Sequence, residues 1–271
     1  MPSASARVMF DVPALPVLLQ PMRAALETTR MPLARLIVQV ERPQDRMRSQ
    51  LGGWPWWPEG TAWPTTPGGA PLYPLAQINL EDVPPKLGLP RRGLVQFFIE
   101  DSRSYGLDYT GQTEGQNGWR VVFWKDGPTG PAAAAPNLPE PQEHPLAAPL
   151  RPRALAFLPD TEYVSVSDYR FELLPAPTVG ELARHAGVTE GAVLWALDEA
   201  LAGEGHKVGG YPLFRQDDPR SPDDDRTFLL LQLDSHDGLM WGDAGTAQFF
   251  VAPDALQRGD VSDVRYIWQS A

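Results

Sequence analysis

The sequence predicts an α+β fold: two similar antiparallel, strand-rich units in a pseudo-two-fold arrangement, with a few short helices. Three observations lead there. Four short strings recur in the same order on either side of a proline-rich stretch. Each string has the length and patterning of a strand, and helical periodicity is confined to two places. Gly (24) and Pro (30) make up 54 of the 271 residues, which favours turns and short strands over long helices.

Taken in order, residues 1–50 read as an arm, with a helix over 15–30 after Pro13 and Pro16 and an extended remainder. Residues 51–126 form the first unit. It contains Gly52-Gly53-Trp54-Pro55, then Leu75–Asn79, Gly93–Ile99 and Arg120–Trp124. Residues 127–152 hold eight prolines and no apolar period, the composition of an extended, exposed connector. Residues 153–271 form the second unit, with Gly209-Gly210-Tyr211-Pro212, Leu230–Asp234, Gly245–Val251 and Arg265–Trp268 in the same order. Within it, 178–202 reads as two short helices broken near Gly187, with Thr178 and Thr189 as N-caps.

Strand alternation puts Gln77 and Asn79 on one face of the first unit, and Gln232 and Asp234 on one face of the second. These four could line a polar cleft where the units meet, or satisfy buried backbone groups there. His206, beside Lys207 in the glycine-rich approach to Gly209, is a candidate base or ligand whose alternative is a loop histidine bonded to a neighbouring carbonyl. Trp241 and Asp243, in Met240-Trp241-Gly242-Asp243-Ala244-Gly245, read either as a ligand floor or as a tight turn. The Trp-Pro string at 54–64 reads as a peptide or sugar groove, or as a loop folded over a core.

Several function classes are excluded or unsupported. The formal net charge is −11, and its distribution is uneven: residues 160–271 carry eight basic and twenty acidic side chains, a balance of −12. A chain this acidic does not attract a polyanion, so no nucleic-acid partner is expected. Without cysteine there is no disulfide framework, thiolate site or cysteine nucleophile. No phosphate-binding loop, dinucleotide fingerprint, zinc-protease motif or nucleophile elbow is present. The four histidines are scattered, and the acidic run 217–225 lacks calcium-loop spacing. No cofactor or metal is therefore expected. No apolar run is long enough to span a membrane, and a cytoplasmic location is the default.

GGWPWWPEG, PLYPLAQINLEDVP, LPRRGLVQFFIE, GGYPLFRQDD, LLLQLDS, MWGDAGTAQFFV and VRYIWQS together resemble the YwqG-like family of bacterial proteins, over roughly residues 30–271. The resemblance implies a cytoplasmic α+β protein with two similar halves and no established activity. Because family members occur near secreted polymorphic toxins, it also implies an immunity-type or other protein-binding role. The expectation is a non-enzymatic binding protein with a basic protein partner; the alternative is an enzyme or a small-ligand or metal sensor with a cleft between the halves.

Overall fold

The computed structural model of the protein describes residues 15–108 and 115–271. Its strands are β1 (Met31–Val38), β2 (Gln50–Leu51), β3 (Tyr73–Asn79), β4 (Leu94–Ile99), β5 (Trp119–Trp124), β6 (Arg153–Glu162), β7 (Lys207–Gly209), β8 (Phe228–Asp234), β9 (Thr246–Val251) and β10 (Arg265–Gln269). They form one sheet in the order β10-β9-β8-β7-β1-β6-β2-β3-β4-β5, antiparallel at every pairing.

This corrects the α+β, two-unit expectation. The protein is predominantly β; three of its recurring strings are strands on opposite flanks of one continuous sheet, and the fourth, the double glycine, is a turn leaving β2 or β7. The reason lies in the inner strands of each flank. β2 has two residues and β7 has three, and both would expose unpaired backbone groups if the flanks were separate bodies. The longest strands, β1 and β6, fill that gap. They pair from Met31↔Glu162 to Val38↔Leu155, and each takes up one short strand, β7 on β1 and β2 on β6. The segment read as an arm thus supplies a central strand.

The sheet curls into a half-barrel. Phe97 of β4 and Phe249 of β9 stand near opposite ends of the strand order, yet their ring centroids are 4.9 Å apart. Trp119 of β5 and Tyr266 of β10 approach to 5.5 Å. The enclosed core takes Ile78, Val95, Val121, Leu231, Leu233 and Trp241, each worth about 1.5–3 kcal/mol on full burial.

Both outer faces are covered too, which explains strands buried along their whole length such as β3 and β4. On one flank Trp57, Leu72 and Phe98 pack with Trp63 and Trp124, so the Trp-Pro string folds over a core. On the other, Phe214, Leu229, Phe250 and Ile267 cluster beneath the guanidinium of Arg220, 4.5 Å from the Phe250 centroid. The proline-rich connector is no free tether. Ala132 bridges to Pro58 and Leu146 to Leu239, stitching it to both flanks.

The helices are α1 (Arg23–Glu27), α2 (Val179–Ala186), α3 (Glu190–Leu201) and α4 (Pro253–Arg258), with a 3-10 turn at Val17–Met22. Thr178 and Glu181 form a capping box at the start of α2, which ends at left-handed Gly187. Thr189 caps α3 through Ala192 N–H. With the 3-10 turn and α1, these helices bury Leu19, Leu26, Leu182, Val193 and Leu197 against Tyr163 and Tyr211, just beyond the ends of β6 and β7.

Candidate functional site

Gln77 and Gln232 each lie downstream of a double glycine. Each double glycine before them is left-handed, with φ of 64° and 66° at Gly52 and Gly53 and of 74° and 73° at Gly209 and Gly210. The chain entering and leaving each turn carries backbone groups outside the strand ladders, and a glutamine meets them. Gln77 accepts from Trp56 N–H (3.1 Å) and Gln96 Nε2 (2.8 Å) and donates to the carbonyls of Arg46 (2.9 Å) and Arg48 (2.8 Å). That exhausts its amide. Gln232 accepts from Leu213 N–H (2.8 Å) and donates to the carbonyls of Gly203 and Gly205 (2.9 Å each). Both are fully buried. They do not converge on a cleft: in sheet order β2, β6, β1 and β7 separate β3 from β8.

Asn79 and Asp234 serve nearby loops. Asn79 accepts from Glu81 N–H and donates to Met47 O; Asp234 accepts from Gly205 N–H, Ser235 N–H and Arg215. Their own N–H groups reveal what His206 does. Asn79 N–H donates to Ser49 Oγ at 2.9 Å, and Asp234 N–H donates to His206 Nδ1 at 2.9 Å. His206 therefore occupies the structural post that Ser49 fills on the other flank.

His206 also stacks on His236, with centroids 3.7 Å apart. The histidines are scattered in the sequence, and the β8–β9 connection that returns His236 to His206 has no local signature. Asp237 completes a trio, its Oδ2 lying 3.0 Å from His236 Nδ1 and 3.8 Å from His206 Nε2. A tetrahedral zinc spaces its donors roughly 3.3 Å apart, so the distances suit a metal. The tautomer does not. A ring whose Nδ1 accepts a backbone hydrogen bond carries its proton on Nε2, whereas a metal-bound histidine presents a bare nitrogen and donates from the other.

Burial first, and then His236, push His206 down to about 4 from its ordinary 6.5. Burial holds His144 at about 3. The unfolded chain takes up these protons near pH 6.5 and the folded chain does so only near 4 and 3, so stability is highest above 6.5 and falls as the pH drops through that window. His206→Ser retains an acceptor for Asp234 N–H. It is expected to make the Tm profile shallower between pH 6.5 and 4; an unchanged slope would contradict this.

Trp241 is fully buried within the half-barrel, its ring edge-on to Tyr105 at 5.2 Å, so it cannot floor a ligand site. Asp243 is exposed in a turn; its N–H donates to Ser270 Oγ and its carbonyl accepts from Ala271 N–H, tying down the last residues. The cavity of about 810 Å³ between Pro21, Pro175 and Arg184 and that of about 760 Å³ beside Arg42 and Phe157 are lined by none of the seven predicted residues.

Two buried charge groups escaped sequence reasoning. Lys207, wholly buried, donates to Glu162 Oε1 (2.8 Å) and Oε2 (3.0 Å), and Glu162 also accepts from Tyr211 N–H. Burial pushes the ammonium below its usual range, against the pull of Glu162. Asp168 joins Arg170 and Arg220, and Arg220 also holds Asp218. Burial alone would raise the Asp168 pKa, but the two guanidinium groups hold it below the usual carboxylate range. One signal for Lys207 was present: it stands at the repeat offset from Gln50, a position buried on the first flank as well.

The family model described as "Domain of unknown function (DUF1963)" matches residues 49–270. The chain belongs to the DUF1963 family. The DUF1963 match begins just before β2, so the central strand β1 lies outside it. No curated protein matches the chain. Among the described residues, no helix of this DUF1963 protein is long and apolar enough to cross a membrane.

Proposed function

We propose that this DUF1963 protein is a non-enzymatic binding protein whose acidic carboxyl-terminal part takes a basic protein partner. One observation carries the reading: within residues 160–271 most cations are held in ion pairs and most anions are exposed. Of the eight basic side chains in residues 160–271, Arg170, Lys207, Arg215, Arg220, Arg226 and Arg265 are spent on internal ion pairs. Only Arg184 and Arg258 are exposed, against fourteen of the twenty acidic side chains. The surface of this part is therefore more lopsided than its composition, and such a field accelerates encounter with a cationic partner.

The residues that could have formed a catalytic or sensing cleft are occupied in holding loops, so the geometry lends the cleft alternative no support. The quoted strings favour a YwqG-like protein, and an immunity-type inhibitor of a basic toxin, acting in the cytoplasm, is the finer form of this proposal. The test is the association rate with a basic candidate partner between about 0.05 and 0.5 M salt. A drop of about tenfold or more is expected as the Debye length shrinks; a rate independent of salt would sink the electrostatic reading.

A further inference from the structure

α3 is apolar on two sides. Val193, Ala196, Leu197 and Leu201 pack into the helical cluster, as the inward stripe of a surface helix should. On the outward side, where a polar stripe is expected, Leu194 and Trp195 are 55% and 67% exposed. Their neighbours one turn away decide what could cover them. Leu194 lies between Glu190 and Asp198, and Trp195 between Gly191 and Glu199. Gly191 presents no side chain, and a helical side chain leans over the turn preceding its own Cα, so the approach to the indole is open on that side. α3 carries three carboxylates and no Lys, Arg or His; on α2 the exposed charged or titratable groups are Glu181, Arg184 and His185.

We propose that the Leu194–Trp195 face of α3 is the docking surface for the basic partner, which seats an apolar side chain on the indole and brings Lys or Arg to Glu190, Asp198 and Glu199. This rests on the acidic-binder reading above and adds the place. Exposed tryptophan ringed by charge is the composition of an interface centre. Charge also selects the occupant. A second copy docking through the same face would set three carboxylates against three, with no cation on α3 to offset them.

The test uses the full chain and two synthetic amphipathic helical peptides, one of Leu and Lys and one of Leu and Glu, followed by backbone amide NMR. The Leu/Lys peptide is expected to perturb α3 amides and to bind about tenfold more weakly to Trp195→Ser, and likewise to Asp198→Lys/Glu199→Lys. Both variants change exposed side chains only. The Leu/Glu peptide is expected not to bind. Perturbations on another acidic surface, unaffected by Trp195→Ser, would overturn the α3 site and leave the acidic-binder reading standing. No binding of the Leu/Lys peptide anywhere would overturn both. A concentration-dependent dimer in sedimentation, abolished by Trp195→Ser, would replace the basic partner with a second copy.

Discussion

Lys207→Met is expected to cost about 3–5 kcal/mol of folding stability, the range for breaking a buried ion pair from one side. The ammonium has no exposure and the Glu162 side chain is 9% exposed, so neither charge has water to return to. The pair also reaches across the central strand, since β7 and β6 flank β1, and Glu162 holds Tyr211 N–H as well. Removing Lys207 leaves the buried Glu162 carboxylate with one backbone donor. The double variant Lys207→Met/Glu162→Gln takes away both charges and keeps an acceptor for Tyr211 N–H. It is expected to be more stable than the single variant. Urea denaturation measures both; a single variant within about 0.5 kcal/mol of the parent, the range of an ordinary surface change, would show that the pair is not closed off from solvent.

Gln232→Leu is the second large effect. The smaller apolar side chain enters the buried volume without a clash but abandons Leu213 N–H and the carbonyls of Gly203 and Gly205. An unsatisfied buried group costs about 1–3 kcal/mol, so a loss of about 3 kcal/mol or more is expected even with partial relaxation of the glycine loop. Gln77→Leu leaves the Arg48 carbonyl and one Gln96 Nε2 hydrogen without a partner, while Trp56 N–H and the Arg46 carbonyl keep each other, so a loss of about 2 kcal/mol is expected there. Thermal denaturation of the two variants reads this directly. A loss below about 1 kcal/mol in both would mean that the loops keep their shape without the amides.

The strands that carry the recurring strings were legible because alternation and apolar runs are local properties. PLAQINL and FLLLQLD lie where β3 and β8 lie, and each Gln pairs with the Gln of its neighbour, Gln77↔Gln96 and Gln232↔Gln248. The caps at Thr178 and Thr189 were legible for the same reason. How the two flanks join was not. β1 and β6 are not among the recurring strings, and β1 carries Pro32 and Arg35 in an eight-residue run, which weakens its strand signal. Its role depends on pairing with residues more than a hundred positions away. Gln77, Asn79, Gln232 and Asp234 are buried, but burial of a polar side chain has two explanations. Only the positions of Trp56, Leu213 and the glycine carbonyls distinguish a loop clamp from a ligand contact. His206 shows the same ambiguity. Its equivalence to Ser49 is visible in the alignment of offsets, yet the shared duty, accepting a strand N–H, requires the fold.

The buried amides of this DUF1963 protein are bonded within the protein, and recognition is left to the acidic exterior. Side-chain amide hydrogen exchange at Gln77, Gln96 and Gln232 tests it most directly. These Nε2 hydrogens are expected to exchange only with global unfolding, at the rate of the core amides of β3 and β8. Fast exchange at these amides while the backbone of β3 and β8 stays protected would contradict it, because the amides would then be open to water and to a ligand.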